Sequence, residues 1–579
     1  MLENGDLILR YLERLGVEYV FGVPGGSIEP FYDALARSER RGGIRTITAR
    51  HESGAAFMAE GYARETGKIG VCCSTAGPGA TNLLTGVSSA YSDGIPMLVI
   101  TAQTALDRFG QGSLQETSCT GIHTVEMFAR CTRYNTLVSH PAQLETKLLQ
   151  AVSHAMSNQP GPAHLGIPLD VMRHRVVVNV KDETLRAFVN YEVAPSEASV
   201  RALLNELEAA EKVTLVLGEG AAGANDMLVA LAEARNWLMV TTPRGKGLVD
   251  SFHPLYRGVF GFAGHNSATD ALKMENADRV VAIGTALDEV STCGWDPTTI
   301  LSDRLIHISS NPEHLSRSTI ARLVVLGSPK LLFGPLVNNL QAVPASKPAT
   351  TAINDDRPDN TGFDEPEKCF DRVGRIKPQA MMHFMSRICP PDTRVLMDTG
   401  NSFLWGIHYW QVRRPESMPP ERNLFNIGLG FAAMGWAIGT SIGVAIADRK
   451  HPVVCFTGDG SYLMSGQELT IARQENLNVL MLVLNDASLG MVSHGQKLSG
   501  GEQVATQLPG VDFAMMARAL GVESYRVETM EELIDLDIPG ILSRPGPCLL
   551  DVIVDGDQVP PMGSRMKVLT SSIQNRPID

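Results

Sequence analysis

The sequence predicts an α/β protein made of several domains, each with a parallel sheet covered by helices. Short apolar runs, many of them rich in Val and Ile, alternate along the chain with helix-forming stretches. This alternation is typical of βαβ units, in which successive strands run parallel. The chain has 579 residues, which is too long for one hydrophobic core. We therefore expect three or four domains of ordinary size.

The first region, residues 1–182, alternates helices and strands. An amphipathic pattern predicts a helix at residues 7–15, and Tyr19–Val23 is predicted as a strand that ends in a Pro-Gly-Gly loop. A further strand at residues 69–73 is followed by a second glycine loop. Glycine-rich loops after strands are the places where a backbone can approach a ligand closely.

The second α/β region spans residues 190–344, with strands predicted at Val213–Leu217, 238–242 and 280–283. Residues 345–367 are rich in Pro, Ala, Thr and Asp, and this composition predicts an exposed linker. The third α/β region follows at residues 368–559, and a polar tail of residues 560–579 closes the chain.

Composition excludes several classes of partner and compartment. The net charge of −13 argues against nucleic acid or an anionic membrane as the main partner. No apolar run approaches the roughly 20 residues of a membrane span. The nine cysteines have no metal-ligand spacing, and Cys72 and Cys73 lie in an apolar strand, which indicates a reducing compartment. The first residues have no signal-peptide pattern, so we expect a cytoplasmic protein.

The most informative motif is GDGS at residues 458–461. An apolar strand at 453–456 precedes it, a helix-forming stretch follows at 466–475, and a second apolar run at 479–484 ends just before Asp486. Asp459 and Asp486 therefore follow two strands of one βαβ unit, at the edge where parallel sheets bind ligands. Gly-Asp-Gly alone is ordinary turn chemistry. Two carboxylates at one sheet edge indicate instead a Mg²⁺ ion that joins the protein to a diphosphate.

At these residues the chain resembles the thiamine-diphosphate (ThDP) enzyme superfamily, in which GDG is followed by an Asn-Asn pair. The second, metal-binding Asn of the family falls on Asp486, and Asp is an equally good oxygen ligand for Mg²⁺. The resemblance implies that ThDP is bound through Mg²⁺. It also implies that Asp459, Asp486 and the backbone carbonyl of Ser488 are the protein's metal ligands.

Glu52 is the candidate catalytic acid. Read alone, it is a first-turn carboxylate favoured by the helix dipole. The surrounding segment, R-H-E followed by A-A, M-A and G-Y-A-R over residues 50–64, resembles the acetohydroxyacid synthase branch of the superfamily. That resemblance implies that Glu52 protonates N1′ of the cofactor's aminopyrimidine and so activates the thiazolium C2. This chemistry needs a carboxyl with a raised pKa in a dry pocket.

Further segments match the same branch from about residue 7 to residue 554. Met434 is expected to hold the cofactor in its bent conformation, although plain core packing is the alternative. The resemblance implies that, besides Glu52, Asp459 and Asp486, the cofactor is contacted by Pro24, Gly25, Gly26, Thr75, Gly77, Asn82, Gly400, Asn401, Ser402, Gly430, Met434, Gly458, Gly460, Ser461, Leu489, Gly490 and Met491.

The expected substrate pocket departs from the branch at two positions. Leu114 replaces a Phe that lines the pyruvate pocket, next to Gln115, which is the second catalytic candidate. Gly495 replaces a Trp that selects 2-oxobutyrate as acceptor, and Met491 and His494 are expected beside it. The loss of an indole opens volume, which favours a larger acceptor.

The resemblance leaves flavin binding open. The branch contacts FAD through a segment with two arginines, and the corresponding residues 284–290 have neither. Residues 261–265, GFAGH, could still pass near a flavin.

The resemblance implies a pyrimidine (PYR) domain at 1–182, a central domain at 190–344 and a diphosphate (PP) domain at 368–559. It implies a decarboxylating carboligase that moves an acyl unit from a 2-oxo acid such as pyruvate to a carbonyl acceptor. Alternatives are an acyloin-forming or ketone-acetylating enzyme of secondary metabolism with a bulky acceptor, and a ThDP-dependent C–C lyase or hydrolase. A non-catalytic relative is disfavoured because Glu52 and both metal ligands are present. We expect a homodimer or homotetramer with the active site at the subunit interface.

Overall fold

The structure is a computed structural model that describes residues 2–177, 185, 189, 192–340 and 361–563, with the side chains of 336–340 excepted. The predicted boundary at residue 182, most of the predicted linker and residues 564–579 of the predicted tail lie outside the described residues. The last part of the predicted linker is packed, since Thr361 is buried and Phe363 contacts the rings of His408 and Tyr409.

The N-terminal region forms a six-stranded parallel sheet and a short antiparallel pair. The strands are β1 (Leu2–Glu3), β2 (Tyr19–Val23), β3 (Arg45–Thr48), β4 (Gly70–Ser74), β5 (Met97–Gln103), β6 (Tyr134–Leu137), β7 (Pro162–Pro168) and β8 (Arg175–Val176). β1 pairs with β8, and the sheet has the order β3-β2-β4-β5-β7-β6. One apolar cluster, which includes Ile8, Val71 and Leu165, packs against this sheet.

Helices connect these strands. They are Asn4–Arg14, Glu29–Arg40, Glu52–Thr66, Pro78–Ser92, Thr124–Phe128, Leu144–Ala155 and Leu169–Met172, with 3₁₀ turns at Gly26–Ile28, Leu106–Arg108 and Pro141–Gln143.

The helix Glu52–Thr66 is buried along almost its whole length against the helix Trp436–Ala447. Small residues allow this, because a Cβ on Gly61 would overlap the Thr440 backbone and one on Gly443 would overlap the backbone of Met58. The helix ends at Gly67, whose φ of 68° is in the left-handed region that glycine adopts without strain. Close packing of this kind fixes the position of the helix that carries Glu52.

The central region forms a second parallel sheet, which helices cover on both faces. Its strands are β9 (Val213–Leu217), β10 (Leu238–Thr241), β11 (Tyr256–Val259), β12 (Arg279–Ile283), β13 (Leu305–Ser309) and β14 (Leu323–Leu326), in the order β11-β10-β9-β12-β13-β14. Alternate residues of one strand, such as Leu215 and Val216, enter separate apolar clusters on the two faces. Its helices are Glu197–Glu208, Asn225–Arg235, Asn266–Ala271, Pro312–Leu315 and Pro329–Leu340, with 3₁₀ turns at Glu219–Ala221, Pro243–Leu248 and Val290–Thr292.

The C-terminal region forms the third parallel sheet. Its strands are β15 (Arg394–Met397), β16 (Phe425–Ile427), β17 (Val453–Gly458), β18 (Val479–Asn485), β19 (Glu523–Val527) and β20 (Cys548–Ile553), in the order β16-β15-β17-β18-β20-β19. Besides Trp436–Ala447, its helices are Pro378–Ile388, Asn401–Tyr409, Asp459–Ser465, Leu469–Gln474, Gly490–Leu498, Phe513–Ala519, Met530–Asp535 and Ile538–Ser543, with 3₁₀ turns at Pro366–Phe370 and Gly466–Glu468.

The three six-stranded parallel sheets confirm the predicted α/β fold class. The chain divides into two compact units. Unit 1 comprises Met1–Tyr191, Gly428–Lys450 and Ser461–Val479, and unit 2 comprises Glu192–Ile427, His451–Gly460 and Leu480–Asp579. Within the described part of the chain, no helix combines the length and the apolarity that a membrane crossing requires.

Candidate active site

In unit 1, Glu52 is the first residue of its helix, and Asn82 of the next helix holds its carboxyl. The helix begins there because His51 is extended and its Nδ1 accepts the Ser53 N–H at 3.2 Å. Asn82 Nδ2 donates to Glu52 Oε2 at 2.9 Å. The other oxygen, Oε1, lies 3.4 Å from where a Cβ on Gly79 would stand. One carboxyl oxygen is therefore anchored, while the other faces a glycine backbone.

The structure brings the predicted glycine loops of unit 1 together around Thr75. A Cβ on Gly25 would lie 2.6 Å from Thr75 Cβ, and a Cβ on Gly79 would lie 2.9 Å from Thr75 Cγ2. A Cβ on Gly77 would lie 3.0 Å from the Cβ of Gln115, which itself has a φ of 59°. Thr75, Gln115 and the loop that begins at Pro24 therefore belong to one cluster with Glu52.

Glu468 is a buried acid beside Glu52 that the sequence analysis missed. Its carboxylate accepts the backbone N–H of His51 at 2.8 Å and that of Arg50 at 3.1 Å. Gly54 leaves room for it, since a Cβ there would overlap the Glu468 carboxyl. Desolvation raises the pKa of Glu468 to about 7, and the Glu52 charge adds to the rise. No local pattern could reveal this contact, because the two segments are 417 residues apart in sequence.

Unit 1 also holds three more of the predicted cofactor residues. The Gly430 N–H donates to Asp93 Oδ1 at 3.0 Å. Met434 is partly buried just before the helix Trp436–Ala447, and Ser461 is buried.

In unit 2, the two predicted metal ligands accept from the same backbone amide. The Ser488 N–H donates to Asp459 Oδ2 at 3.2 Å and to Asp486 Oδ1 at 3.1 Å. Desolvation raises the pKa of Asp459 to about 6. Desolvation and the neighbouring Asp459 charge raise the pKa of Asp486 to about 7. A cation bound between the two carboxylates would remove their repulsion and stabilise both charges.

The fold explains why Asp486, and not the preceding residue, faces this site. Asn485 ends β18, and its Nδ2 donates to Asp551 Oδ1 at 2.8 Å and to the Val511 carbonyl at 3.0 Å. The following Ala487 has a φ of 53°, which turns the chain sharply at the sheet edge. The Asn485 side chain therefore forms hydrogen bonds within the domain, whereas the Asp486 carboxylate is available to a ligand.

The helix after β17 begins earlier than the sequence analysis predicted. A helix was expected from residue 466, but Asp459 already begins the helix Asp459–Ser465. An acid in a first helical turn interacts favourably with the helix dipole, and the Gly460 N–H donates to Asp459 Oδ1 at 2.7 Å. The GDG motif is therefore a strand-to-helix junction that places amides beside the carboxylate.

The predicted Gly400-Asn401-Ser402 segment lies beside this junction. Gly400 has a φ of 128°, and Asn401 begins the helix Asn401–Tyr409. Ser402 Oγ donates to the Asp398 carbonyl at 2.7 Å, and Thr457 Oγ1 donates to Asp398 Oδ2 at 2.8 Å. These two bonds tie the end of β15 to the end of β17.

A polar cavity of about 260 Å³ opens beside the carboxylate pair in unit 2. Asp486, Ser488 and Gly490 form its inner edge. The other lining residues carry both charges and several amides: Arg375, Ser493, His494, Lys497, Gln503, Gln507, Asp555, Gly556 and Asp557.

The predicted substrate residues differ in their surroundings. Leu114 is 88% exposed in unit 1. In unit 2, the helix Gly490–Leu498 follows directly after Leu489. Its second residue, Met491, is partly buried. Gly495 of that helix faces open space, since no atom lies within 4 Å of a Cβ added there.

The residues present fit ThDP and Mg²⁺. Among the side chains that the structure describes, Thr75 Oγ1 and Asn401 Oδ1 are buried atoms without a hydrogen-bond partner, and both belong to predicted cofactor residues. Buried polar atoms need partners, which a bound ligand can supply. Among the described residues no group of three or more His, Cys, Asp or Glu side chains could hold a metal. Two carboxylates are nonetheless enough for Mg²⁺ when a diphosphate provides further oxygens.

The residues present do not fit a flavin at the edge of the central sheet. The Gly220 N–H donates to the Gly284 carbonyl at 2.8 Å, so two backbone segments are in direct contact. Arg244 Nη1 lies 3.3 Å from Glu219 Oε1 and 3.8 Å from Asp288 Oδ2 across the same edge. The cavity left there is about 10 Å³, which is roughly the room of one water.

Comparisons with known proteins agree with this geometry. Three thiamine pyrophosphate enzyme profiles match the chain: the N-terminal TPP binding domain at residues 2–122, the central domain at 200–336 and the C-terminal TPP binding domain at 398–552. Thiamine pyrophosphate (TPP) is another name for ThDP.

Similar proteins cover almost the whole chain. The acetolactate synthase of Arthrospira platensis is 33% identical over 564 residues, which are 94% of this chain and 93% of that protein. The acetolactate synthase isozyme 1 large subunit of Escherichia coli (strain K12) is 30% identical over 562 residues, which are 96% of this chain and 94% of that protein. These similarities identify a ThDP-dependent enzyme of the carboligase type. The chain belongs to the thiamine pyrophosphate enzyme family, in its acetolactate synthase-like branch.

Proposed function

We propose that the protein is a ThDP- and Mg²⁺-dependent carboligase that decarboxylates a 2-oxo acid, with pyruvate as the first choice. It then transfers the resulting acyl unit to a carbonyl acceptor. The observation that carries this proposal is that one chain holds both halves of such a site. Unit 1 holds Glu52 anchored by Asn82, and unit 2 holds the Asp459–Asp486 pair.

Each half has a defined task. Asp459 and Asp486, with the carbonyl of Ser488, would hold Mg²⁺ against the diphosphate, and Asn401 Oδ1 has no partner among the described residues. When bound, ThDP supplies the electron sink for decarboxylation. Glu52 would exchange a proton with the aminopyrimidine through Oε1, because Oε2 is occupied by Asn82. Thr75 Oγ1, which has no hydrogen-bond partner among the described residues, would form a hydrogen bond with the aminopyrimidine.

We propose a homo-oligomer in which the active site lies between two subunits. Unit 1 supports this with three exposed apolar side chains, Phe431, Leu463 and Met464. Exposed apolar side chains of this size gain free energy when another chain buries them. The proposed location is the cytoplasm, which the buried thiols of Cys72 and Cys73 support.

The direct test is incubation of the purified protein with ThDP, Mg²⁺ and pyruvate, with and without a panel of ketone and aldehyde acceptors. Mass spectrometry should show a product that has gained an acyl unit, with release of CO₂. The Glu52→Gln variant is the matched control, since it keeps the size of the side chain. If neither pyruvate nor any other 2-oxo acid is decarboxylated or coupled, the proposed function is wrong.

Gly495 favours a second candidate, an enzyme that transfers the acyl unit to a bulky ketone or aldehyde. The open space beside Gly495 could admit part of a large acceptor. Gly495→Trp should then lower turnover with a bulky acceptor by about tenfold or more, while turnover with pyruvate as acceptor stays within about threefold. Paired rates for both acceptors in both proteins test this. Equal losses on the two acceptors would show that residue 495 does not select the acceptor.

A further inference from the structure

His494 joins the proposed cofactor site to the end of β20. Its Nε2 lies 3.0 Å from the Gly556 carbonyl oxygen, and its Nδ1 lies 3.3 Å from Asn401 Nδ2. The ring is buried, so these contacts do not compete freely with water. The sequence analysis had placed His494 in the substrate pocket, whereas these contacts connect it to a predicted cofactor residue.

The chemistry of the two contacts fixes the tautomer of this histidine. A carbonyl oxygen can only accept, so Nε2 must carry the proton to bond Gly556. In a neutral imidazole the other nitrogen is then an acceptor, and Nδ1 can bond only a donor. Asn401 must therefore direct its Nδ2 toward His494 Nδ1. Its Oδ1 in that position would place two acceptors against each other. Burial lowers the pKa of His494 and so favours this neutral form.

The orientation of the Asn401 amide follows from this chain of two bonds. With Nδ2 held by His494, Oδ1 is directed away from the ring, and it is buried without a partner among the described residues. Gly490 makes the arrangement sterically possible, because a Cβ there would lie 2.7 Å from Asn401 Nδ2 and 2.9 Å from Asp486 Oδ2. The amide is thus held beside the carboxylate pair in one of its two possible flips.

We propose that His494 is a positioning residue for the cofactor's diphosphate end, acting through Asn401. The inference rests on the proposed function, because the group that Asn401 would contact is the Mg²⁺-diphosphate. His494 selects the amide flip that leaves Oδ1 and the second N–H of Asn401 available to that group. A freely rotating amide would lose this orientation and part of its contribution to affinity.

A double-mutant cycle on cofactor affinity tests the proposal. The dissociation constant of ThDP at saturating Mg²⁺ is measured by tryptophan fluorescence quenching for the wild type, His494→Ala, Asn401→Ala and the double variant. His494→Ala should weaken binding about fivefold to tenfold in the wild-type background, which is the size of one oriented hydrogen bond. In the Asn401→Ala background the same change should weaken binding less than about twofold. Equal losses in both backgrounds would overturn the proposal.

Three further variants test whether the effect comes from the bond between His494 Nδ1 and Asn401. His494→Asn keeps an acceptor near the Nδ1 position and should bind ThDP within about threefold of the wild type, whereas His494→Gln keeps a donor near Nε2 and should bind as weakly as His494→Ala. The reverse order would overturn the proposal, even if the alanine variants prove unstable. Leu498→Ala, an exposed position on the same helix, is the control and should not change the affinity. Failure of the wild type to bind ThDP would refute the proposed function itself.

Discussion

At the scale of single residues, Glu52 and Asp459 use the same structural device for different chemistry. Each acid begins a helix shortly after a strand, so the chain places a carboxyl beside helix amides. Asn82 anchors one oxygen of Glu52, and we propose that the other oxygen transfers the proton. Asp459 instead converges with Asp486 on the Ser488 amide, where we propose that a cation binds. The neighbours of each acid, and not its position on a helix, determine its role.

Glu52→Gln should slow activation of the cofactor without preventing its binding. The amide keeps the size of the side chain and can still accept from Asn82, but it cannot exchange a proton as a carboxyl does. Hydrogen–deuterium exchange at C2 of bound ThDP should slow by about 10²-fold to 10⁴-fold, and the dissociation constant should stay within about threefold. An unchanged exchange rate would show that Glu52 does not activate the cofactor and only begins the helix.

Asp459→Ala should abolish Mg²⁺-dependent binding of ThDP, because it removes one of the two anionic ligands. Asp486→Asn should bind with at most a severalfold loss, since an amide oxygen can still coordinate the metal and the repulsion with Asp459 disappears. Titration calorimetry with and without Mg²⁺ measures both variants. Full Mg²⁺-dependent binding by Asp459→Ala would show that the metal is held elsewhere.

At the scale of secondary-structure elements, the helix Glu52–Thr66 is held at its start and along its length. Glu468 accepts the two backbone amides just before the helix. The helix Trp436–Ala447 packs along it, and Trp436 Nε1 donates to Glu60 Oε1 at 2.9 Å. Both contacts lie within unit 1. The proposed catalytic carboxyl is thus carried by a tightly packed element, which limits the motion of Glu52 relative to Asn82.

Glu468 should make the stability of the protein depend on pH. Its folded pKa of about 7 lies above the ordinary value of 4.5, so the folded state holds the extra proton between these two values. Stability is therefore lost as pH rises from about 4.5 to 7, by a total on the order of 3 kcal/mol.

Thermal unfolding at pH 5 and pH 8 measures this effect. The midpoint of the wild type should fall more between the two pH values than that of Glu468→Gln, which cannot titrate. Asp459 and Asp486 are present in both proteins, so the difference between the two pH dependences reports the contribution of residue 468. The same pH dependence in both proteins would mean that the carboxyl of Glu468 titrates normally.

At the scale of the whole molecule, three sheets of similar construction serve different purposes. The edges of the first and third sheets carry the proposed halves of the active site. The edge of the central sheet is closed by backbone contacts and by the ion pairs of Arg244. In our proposal, the same architecture therefore provides two edges that bind the cofactor and one edge with room for about one water.

The purified protein should carry no flavin. Its absorbance near 450 nm should be absent, and added FAD should change neither its thermal midpoint nor its ThDP affinity, because the central edge has room for about one water. A related protein that does retain FAD is the positive control. Saturable FAD binding in the micromolar range would show that the Arg244 ion pairs open.

The sequence by itself determined the fold class, the family and many of the secondary-structure elements. Strands with a buried centre were predicted closely, as at Tyr19–Val23 and Val213–Leu217, because strands covered on both faces are continuous apolar runs. The first helix was predicted to begin at residue 7 but begins at Asn4, where polar residues are buried and hide its start. The fold class and the family followed from motifs whose residues lie close together in the chain.

Only the tertiary structure decided which groups meet. Glu468 and His51 are 417 residues apart, and His494 and Asn401 are 93 residues apart, so no local pattern predicts either contact. The sequence also left flavin binding open, and the contact of Gly220 with Gly284, on which our prediction of no flavin rests, joins two separate segments of the chain. Local propensity depends on near neighbours, but the burial, pKa and hydrogen-bond partners of a side chain depend on segments that folding brings together from distant parts of the chain.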